Sequence, residues 1–223
     1  MFIGHFAVGF SAKAVAPDAS LGSLVLAAQL PDLLWPTLLA LGMERVHILP
    51  GATVVTPLVF EHYPISHGLM PLLGWAGILG LFHFLTQRKA KTALVLAALV
   101  LSHWLLDAIV HQPDLPLFPG SEMRVGLNAW SSLPLTVTME LAIFLFGLWL
   151  YARTTTSRDA RDRWGFWVLL VCLVGIYLGN LFGPPPPSVA AIAWTGQAQW
   201  LLVLWCYWID KNRPLRCTGR DNL

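Results

Sequence analysis

The chain alternates long apolar stretches with short polar connections, which is the pattern of helices that cross a membrane. The hydrocarbon core of a bilayer, about 30 Å thick, requires roughly 20 apolar residues in helical form. Five stretches come close to that length: residues 69–86, 92–110, 133–151, 164–182 and 189–209. The third is preceded by Ser131 and Ser132 and contains Pro134, which favour a helix N-cap and first turn.

The region before these stretches is less regular. Residues 2–16 are short and apolar, and residues 19–43 are longer but are interrupted by QLPDLLWP, with Asp32 between two prolines. We interpret them as a helical hairpin with a broken second arm, because a proline inside a helix removes a hydrogen bond and kinks or ends it. The pattern predicts an all-α, polytopic membrane protein with about seven helical spans in a single membrane domain, residues 1–223, without internal repeats.

The composition agrees with a membrane protein and excludes some partners. The chain is 56% hydrophobic and only 12% charged, whereas soluble domains carry about 25% charged residues. Its mean hydropathy is +0.63. A net charge of +2, without a basic stripe, gives no support for a nucleic-acid partner. Cys172, Cys206 and Cys217 are scattered and form no CxxC pair, so no chemistry is assigned to them.

Lysines and arginines are concentrated in three places, and this orients the chain. They fill the connections at residues 88–91 and 153–163 and the tail at residues 211–220, whereas the other connections are poor in positive charge. Because cytoplasmic loops are enriched in Lys and Arg, these three places are predicted to be cytoplasmic. Seven spans then place the N-terminus outside and the C-terminus in the cytoplasm.

The stretch LSHWLLDAIVH, residues 101–111, carries three residues that do not suit an apolar helix. His103, Asp107 and His111 are four apart, so they form one helical stripe with about 6 Å of rise between neighbours. A charged residue inside a membrane span is costly and is by default a functional hypothesis. The stripe predicts metal ligands, with Asp107 between two ions. A buried polar ladder or a pore-lining face are the alternatives.

The same charge count brings further histidines and carboxylates towards the outer face of the membrane. The complete set of predicted metal ligands is His5, Asp32, His62, His67, His103, Asp107, His111 and Glu140. Imidazole and carboxylate together suit zinc, with iron or manganese as alternatives, and one to two ions are expected. Asp32 and Glu140 are also the candidate catalytic carboxylates, because a free carboxylate can orient the attacking water.

Several of these residues have simpler explanations. Asp32 could only break one helix and cap the next, Glu140 could pair with Arg124, and His62 could be a solvated loop residue. Asp114 lies in HQPDLPLFPG, where a turn role before a proline-rich loop is sufficient.

Four short motifs occur in the order GHFAVGF, LPDLLW, HYPISHGL and SHWLLDAIVH. Together they resemble the bacterial inner-membrane proteins of the YdjM-like family, also described as membrane-bound metal-dependent hydrolases. The resemblance covers roughly residues 1–151, which would be the metal-site core, and leaves residues 152–223 as a two-span C-terminal extension. It implies a multi-pass protein of the bacterial inner (plasma) membrane.

That family is in turn similar to zinc-dependent phospholipase C and to the single-strand-specific zinc nucleases, which are all-helical enzymes with clustered zinc ions. The resemblance matches five residues to their ligands: His5, Asp32, His67, and His103 with Asp107 as an H-x3-D helix pair.

Three further residues match this pattern more loosely. His111 and Glu140 are looser matches to the ligands of those enzymes. His62 is included because many membrane relatives carry two histidines in this run. Those relatives have an arginine where this chain has Tyr63.

Together these inferences predict a membrane-embedded hydrolase in which metal-activated water attacks a phosphoester or ester near the outer leaflet. Its partner would be a membrane lipid or another amphipathic, lipid-linked substrate. The rival interpretation is an ion- or proton-coupled transporter whose intramembrane His and Asp residues bind an ion or relay protons. Haem ligation by His67 and His103 is a third interpretation, and the adjacent carboxylates argue against it.

Overall fold

The computed structural model describes residues 1–216, so Cys217 and Arg220 lie outside the described residues. Within that range the helices, in chain order, are α1 (Ile3–Ala12), α2 (Leu21–Ala40), α3 (Pro64–His67), α4 (Leu69–Gln87), α5 (Ala90–Val110), α6 (Leu133–Thr154), α7 (Ala160–Phe182), α8 (Val189–Gln197) and α9 (Gln199–Asn212). A single 3-10 turn, Ala129–Ser131, precedes α6.

Among the described residues, six segments are long and apolar enough to cross a membrane. They are α2, α4, α5, α6, α7 and the stretch Val189–Asn212, which contains α8 and α9. The expected all-helical, multi-pass membrane architecture is confirmed, with six such segments where about seven were expected. The start of α6 agrees with its predicted cap, because the Ser132 side chain accepts a hydrogen bond from the amide of Leu135.

Helix α1 is shorter than the crossing helix expected over residues 2–16. Ten residues at 1.5 Å each span about 15 Å, half of the hydrocarbon core. After Ala12 the backbone turns towards α2, and the Lys13 ammonium donates hydrogen bonds to the Ala19 carbonyl and to Asp210 of α9. A buried lysine that is held in this way marks the end of the apolar segment.

Helix α2 is continuous through Pro31 and Pro36, where the sequence predicted a break. A proline inside a helix costs roughly 3 kcal/mol. Burial offsets this cost, because α2 lies at the centre of the bundle with 56% of its apolar window buried, against 17% for α4. Tertiary packing therefore overrides the local preference of this segment.

Two small antiparallel hairpins, absent from the prediction, lie beyond the C-terminal ends of α2 and α5. One consists of β1 (Arg45–Ile48) and β2 (Leu58–His62), and the other of β3 (Leu115–Pro116) and β4 (Arg124–Val125). We call this side of the molecule the hairpin end. It is the side that the charge count predicts to face outward.

The helices share their apolar cores across the proposed boundary at residue 151. Phe10 of α1, Tyr151 of α6 and Leu169 of α7 belong to one buried cluster, which also includes residues of α2 and α9. A second cluster joins α2 to α4 and α5. Helices α7 and α9 thus complete the core that positions α1.

Candidate metal centre

Five of the eight predicted ligands come together at the hairpin end of the bundle. His5 lies in the first turns of α1, Asp32 in the second half of α2, His67 at the end of α3, and His103 and Asp107 on one face of α5. Two groups of three have one potential ligand atom each within 4.8 Å of one another: His5, His103 and Asp107, and Asp32, His67 and His103.

The distances between these atoms are those of ligands around one small cation. The Nε2 atom of His67 lies 3.4 Å from Asp32 Oδ1, and that of His103 lies 3.7 Å from the same oxygen. Asp107 Oδ2 lies 3.2 Å from His103 Nε2 and 3.8 Å from His67 Nε2. Atoms that bind one zinc ion at 2.0–2.2 Å lie roughly 3–4 Å from each other.

The hydrogen bond of His103 determines which of its nitrogens faces this centre. Its Nδ1 lies 2.8 Å from the carbonyl oxygen of Ala28, which can only accept, so Nδ1 carries the hydrogen. In the neutral ring Nε2 then has a free lone pair. Among the described residues Nε2 is completely buried and has no hydrogen-bond partner.

A serine and a glutamate fix His67 in the same way. The Ser66 hydroxyl donates its only hydrogen to Glu44 Oε2 at 2.6 Å, because a carboxylate can only accept. The same hydroxyl oxygen lies 2.7 Å from His67 Nδ1, so it accepts the Nδ1 hydrogen. Glu44 is itself held by the backbone amides of Ile65 and Ser66. The Nε2 lone pair of His67 is therefore directed towards Asp32 and Asp107.

Asp107 uses its two oxygens differently. Oδ1 accepts hydrogen bonds from His5 Nε2 at 3.0 Å and from the amino nitrogen of Met1 at 2.7 Å. Oδ2 faces the two imidazole nitrogens of His67 and His103. His5 thus contributes to the orientation of Asp107 in addition to being a potential ligand.

The rings of His5 and His103 are stacked, with centroids 3.6 Å apart and planes only 6° from parallel. Two protonated rings would repel strongly at this separation, which disfavours protonation of both rings at once. A neutral His103 places a lone pair against two carboxylates in a buried site. Such a group of electron-rich atoms is stabilised when a cation lies between them.

The other three predicted ligands lie outside both groups. Helix α5 ends at Val110, so His111 leaves the stripe of His103 and Asp107, and its Nδ1 contacts Asp114 Oδ1 at 2.9 Å. Burial lowers the pKa of His111. His62 is half-buried in β2, opposite Arg45.

Glu140 has a structural partner of its own. Its Oε2 accepts hydrogen bonds from the amides of Phe2 and Gly4, at 3.0 and 3.3 Å, which satisfies free donors at the start of α1. It does not pair with Arg124 in this arrangement. Glu140 nevertheless faces the same cavity as Asp32 and Asp107.

Asp114 has a larger role than the turn that its sequence context predicted. It accepts a hydrogen bond from the buried hydroxyl of Tyr63 at 2.8 Å and also contacts His111. Burial, with the nearby Asp114 charge, raises the pKa of Tyr63 well above its usual value. Tyr63 therefore orients Asp114.

Glu44 and Ser66 are the members of the site that sequence reasoning missed. Ser66 directly precedes His67, but Glu44 is 22 residues from Ser66, and only the pairing of β1 with β2 brings the two together. The only local sign in the sequence was that Ser66, a polar residue, directly precedes His67.

A cavity of about 970 Å³ opens beside the centre. Asp32, His67 and Asp107 line it, and Glu140 also contributes to its wall. With 22% of its side chain exposed, Asp32 is the most open carboxylate of the centre.

Comparison of the chain with models of known protein families, with characterised proteins and with solved structures yields no match. The resemblance to the YdjM-like family therefore stays a prediction that rests on its four motifs.

Proposed function

We propose that this chain is a membrane-embedded, metal-dependent hydrolase. The observation that carries the proposal is the pair of fixed imidazoles. His67 and His103 each donate Nδ1–H to a defined acceptor and direct an Nε2 lone pair at the buried carboxylates of Asp32 and Asp107. The YdjM-like resemblance independently matches the same four residues to metal ligands.

The donor set fits zinc best. Two imidazole nitrogens and one or two carboxylate oxygens are typical of zinc sites, with iron and manganese as alternatives. Because one Nε2 lone pair binds one ion, His103 serves a single ion together with His67 and Asp32. His5 and Asp107 Oδ1 could hold a second ion only if that ion replaced the hydrogen that His5 Nε2 donates to Asp107 Oδ1.

A bound zinc ion supplies Lewis acidity, which activates water near neutral pH and stabilises the negative charge that develops during ester hydrolysis. Asp32 is the most exposed of the carboxylates that line the cavity, so the oxygen that does not bind the ion can orient the attacking water. Glu140 holds the first turn of α1 through two amide hydrogen bonds. This anchoring role suits Glu140 better than proton transfer, because one of its oxygens is already occupied.

Metal analysis is the first test. Purified protein should contain one to two equivalents of zinc or a similar metal, and His103→Ala should lose most of it. His47→Ala is the matched control, because His47 is an exposed histidine of β1 bonded to Glu61. Wild-type protein that is metal-free after gentle purification and cannot be reloaded would rule the proposal out.

Hydrolysis is the second test. Metal-loaded protein in detergent should cleave a chromogenic phosphodiester or carboxylic ester, and a chelator should stop the cleavage. Asp32→Asn should lower kcat by a larger factor than it changes KM. Metal-loaded protein that cleaves neither class of ester, but moves protons or cations across proteoliposomes, would instead support the transporter.

A further inference from the structure

Helices α7 and α9 contribute a further part of the cavity wall. Cys172, Ile176 and Asn180 are spaced four apart and line the cavity from one stripe of α7. Leu202 and Trp205 of α9 line it as well. These helices belong to the C-terminal part of the chain, which the family resemblance does not cover.

The lining of the cavity thus has two chemically different parts. One part of the lining consists of carboxylates and imidazoles of the candidate centre. Another part, which we call the apolar arm, consists of Cys172 and Ile176 of α7 with Leu202 and Trp205 of α9. Its volume of about 970 Å³ lies at the upper end of the range for pockets that enclose small ligands. An amphipathic molecule fits such a division.

Tyr177 provides a second, independent sign of a ligand. Its side chain is only 4% exposed and lines the cavity, yet among the described residues its hydroxyl has no hydrogen-bond partner. A buried hydroxyl without a partner is unfavourable unless a ligand or water satisfies it. An ester or phosphoryl oxygen can accept its hydrogen.

We propose that the apolar arm binds one hydrocarbon chain of a phospholipid-like substrate, and that Tyr177 donates a hydrogen bond to an oxygen of its head group. That the head group is the part that reacts rests on the proposed hydrolase function, whereas the binding of the hydrocarbon chain does not. The outer faces of α7 and α9 present Val171 and Leu204, which are 70% and 61% exposed, to the bilayer. The occupant can therefore come from the surrounding lipid.

The experiment uses the full chain in vesicles of phosphatidylethanolamine and phosphatidylglycerol that contain a phospholipid with a diazirine near the end of one acyl chain. After irradiation, mass spectrometry maps the adducts. Wild-type protein should carry adducts on the cavity side, at or beside Ile176 and Trp205, and also on the bilayer side near Leu204. The bilayer-side adducts serve as an internal standard.

The variant Ile176→Trp fills the arm and should reduce cavity-side adducts at least several-fold relative to those near Leu204. Val171→Trp, on the outer face of the same helix, should leave that ratio unchanged. Leu201→Trp, at an exposed position that also lines the cavity, is a second filling variant if Ile176→Trp does not fold. An unchanged ratio in a folded filling variant, or wild-type protein without cavity-side adducts, overturns the proposal.

Removal of the Tyr177 hydroxyl tests the head-group contact. Tyr177→Phe should retain about two- to tenfold less phospholipid after a detergent wash, the loss expected for one hydrogen bond. Equal retention in both proteins removes Tyr177 from the proposal. Metal content should stay unchanged in Ile176→Trp, and metal-free wild type should still give cavity-side adducts. Failure of the metal centre and failure of the lipid arm are thereby distinguishable.

Discussion

The single hydroxyl hydrogen of Ser66 decides how His67 meets the candidate centre. Because that hydrogen goes to Glu44, the oxygen of Ser66 is left to accept from His67 Nδ1. The partners of metal-binding histidines commonly determine the orientation and basicity of the ring in this way. Glu44 thus orients the centre indirectly, through Ser66 and then His67.

The first prediction follows from that chain of hydrogen bonds. Ser66→Ala removes the acceptor for His67 Nδ1 and should weaken metal binding about 10- to 100-fold, measured by competition with a chromophoric chelator. Ser102→Ala is the control, because Ser102 also lies next to a histidine of the centre but donates only to the Leu99 carbonyl of its own helix. Equal affinities in the two variants would show that the Glu44–Ser66 pair is structural only.

The second prediction compares two aspartates near the same end of α5. Asp107→Asn should lower metal content and melting temperature together, because a bound ion at 100 times its Kd stabilises the fold by about 2.7 kcal/mol. Asp114→Asn should leave metal content nearly unchanged, since Asp114 bonds to Tyr63 and His111 instead.

A chelator should lower the melting temperature of wild type and barely affect Asp107→Asn. If both proteins contain equal metal and respond equally to the chelator, the polar stripe of α5 is a hydrogen-bonded ladder.

The residues of the candidate centre were predictable to the extent that helix geometry fixes them. His103 and Asp107 lie together because four residues make about one helical turn. His111 does not continue the stripe, because the helix ends one residue earlier and the backbone becomes extended. Glu44 was not predictable, since its contact with Ser66 depends on the pairing of β1 with β2, and the polar–apolar alternation within β1 does not specify its partner strand.

At the scale of elements, the close contact between α1 and α6 places Glu140 at the start of α1. Gly147 makes this approach possible, because a Cβ atom there would collide with the carbonyl oxygen of Ala7. Glu140, Phe144, Gly147 and Tyr151 follow one face of α6 and are buried. A larger residue at 147 would push the two helices apart.

The third prediction is therefore that Gly147→Ala destabilises the protein by about 1–3 kcal/mol, the usual cost of overpacking. That corresponds to a fall in melting temperature of roughly 2–12 °C for a chain of this size. Gly175→Ala in α7 is the control, since a Cβ there meets nothing within 4 Å. It should be neutral or stabilising by up to about 1 kcal/mol. A melting temperature for Gly147→Ala at or above that of Gly175→Ala contradicts the prediction.

Helix ends were predicted better than helix continuity. Caps such as Ser132 act within one turn, so the sequence around them is sufficient. The continuity of α2 depends on neighbours that are distant in sequence, because its prolines are tolerated only where both sides of the helix are covered. Single-sequence patterns report local preference, and the centre of a bundle is where that preference is most easily overridden.

At the scale of the whole molecule, the charged connections and the candidate centre lie at opposite ends of the bundle. Lys89, between α4 and α5, lies 3.3 Å from Asp18, and Lys13 pairs with Asp210 of α9. The hairpin end carries the centre. Because Lys and Arg are enriched in the connections at the end opposite the hairpins, that end is predicted to face the cytoplasm.

The fourth prediction concerns this orientation. The native cysteines are first replaced by serine. Glu122→Cys at the hairpin end should then react with a membrane-impermeant maleimide in intact spheroplasts. Thr156→Cys, between α6 and α7, should react only after lysis. The opposite pattern would place the centre at the cytoplasmic face and reverse the proposed access from the outer leaflet.

The ligands of the candidate centre are distributed along the chain in a way that has a consequence for biosynthesis. His5, Asp32, His67, His103 and Asp107 are contributed in turn by α1, α2, α3 and α5, so the centre is complete only when α5 has left the ribosome. Helices α7 and α9, which form the apolar arm, are translated later. All five ligands therefore leave the ribosome before the apolar arm is made, but α7 and α9 complete the core that fixes α1, so stable metal binding is expected only after those helices have been added.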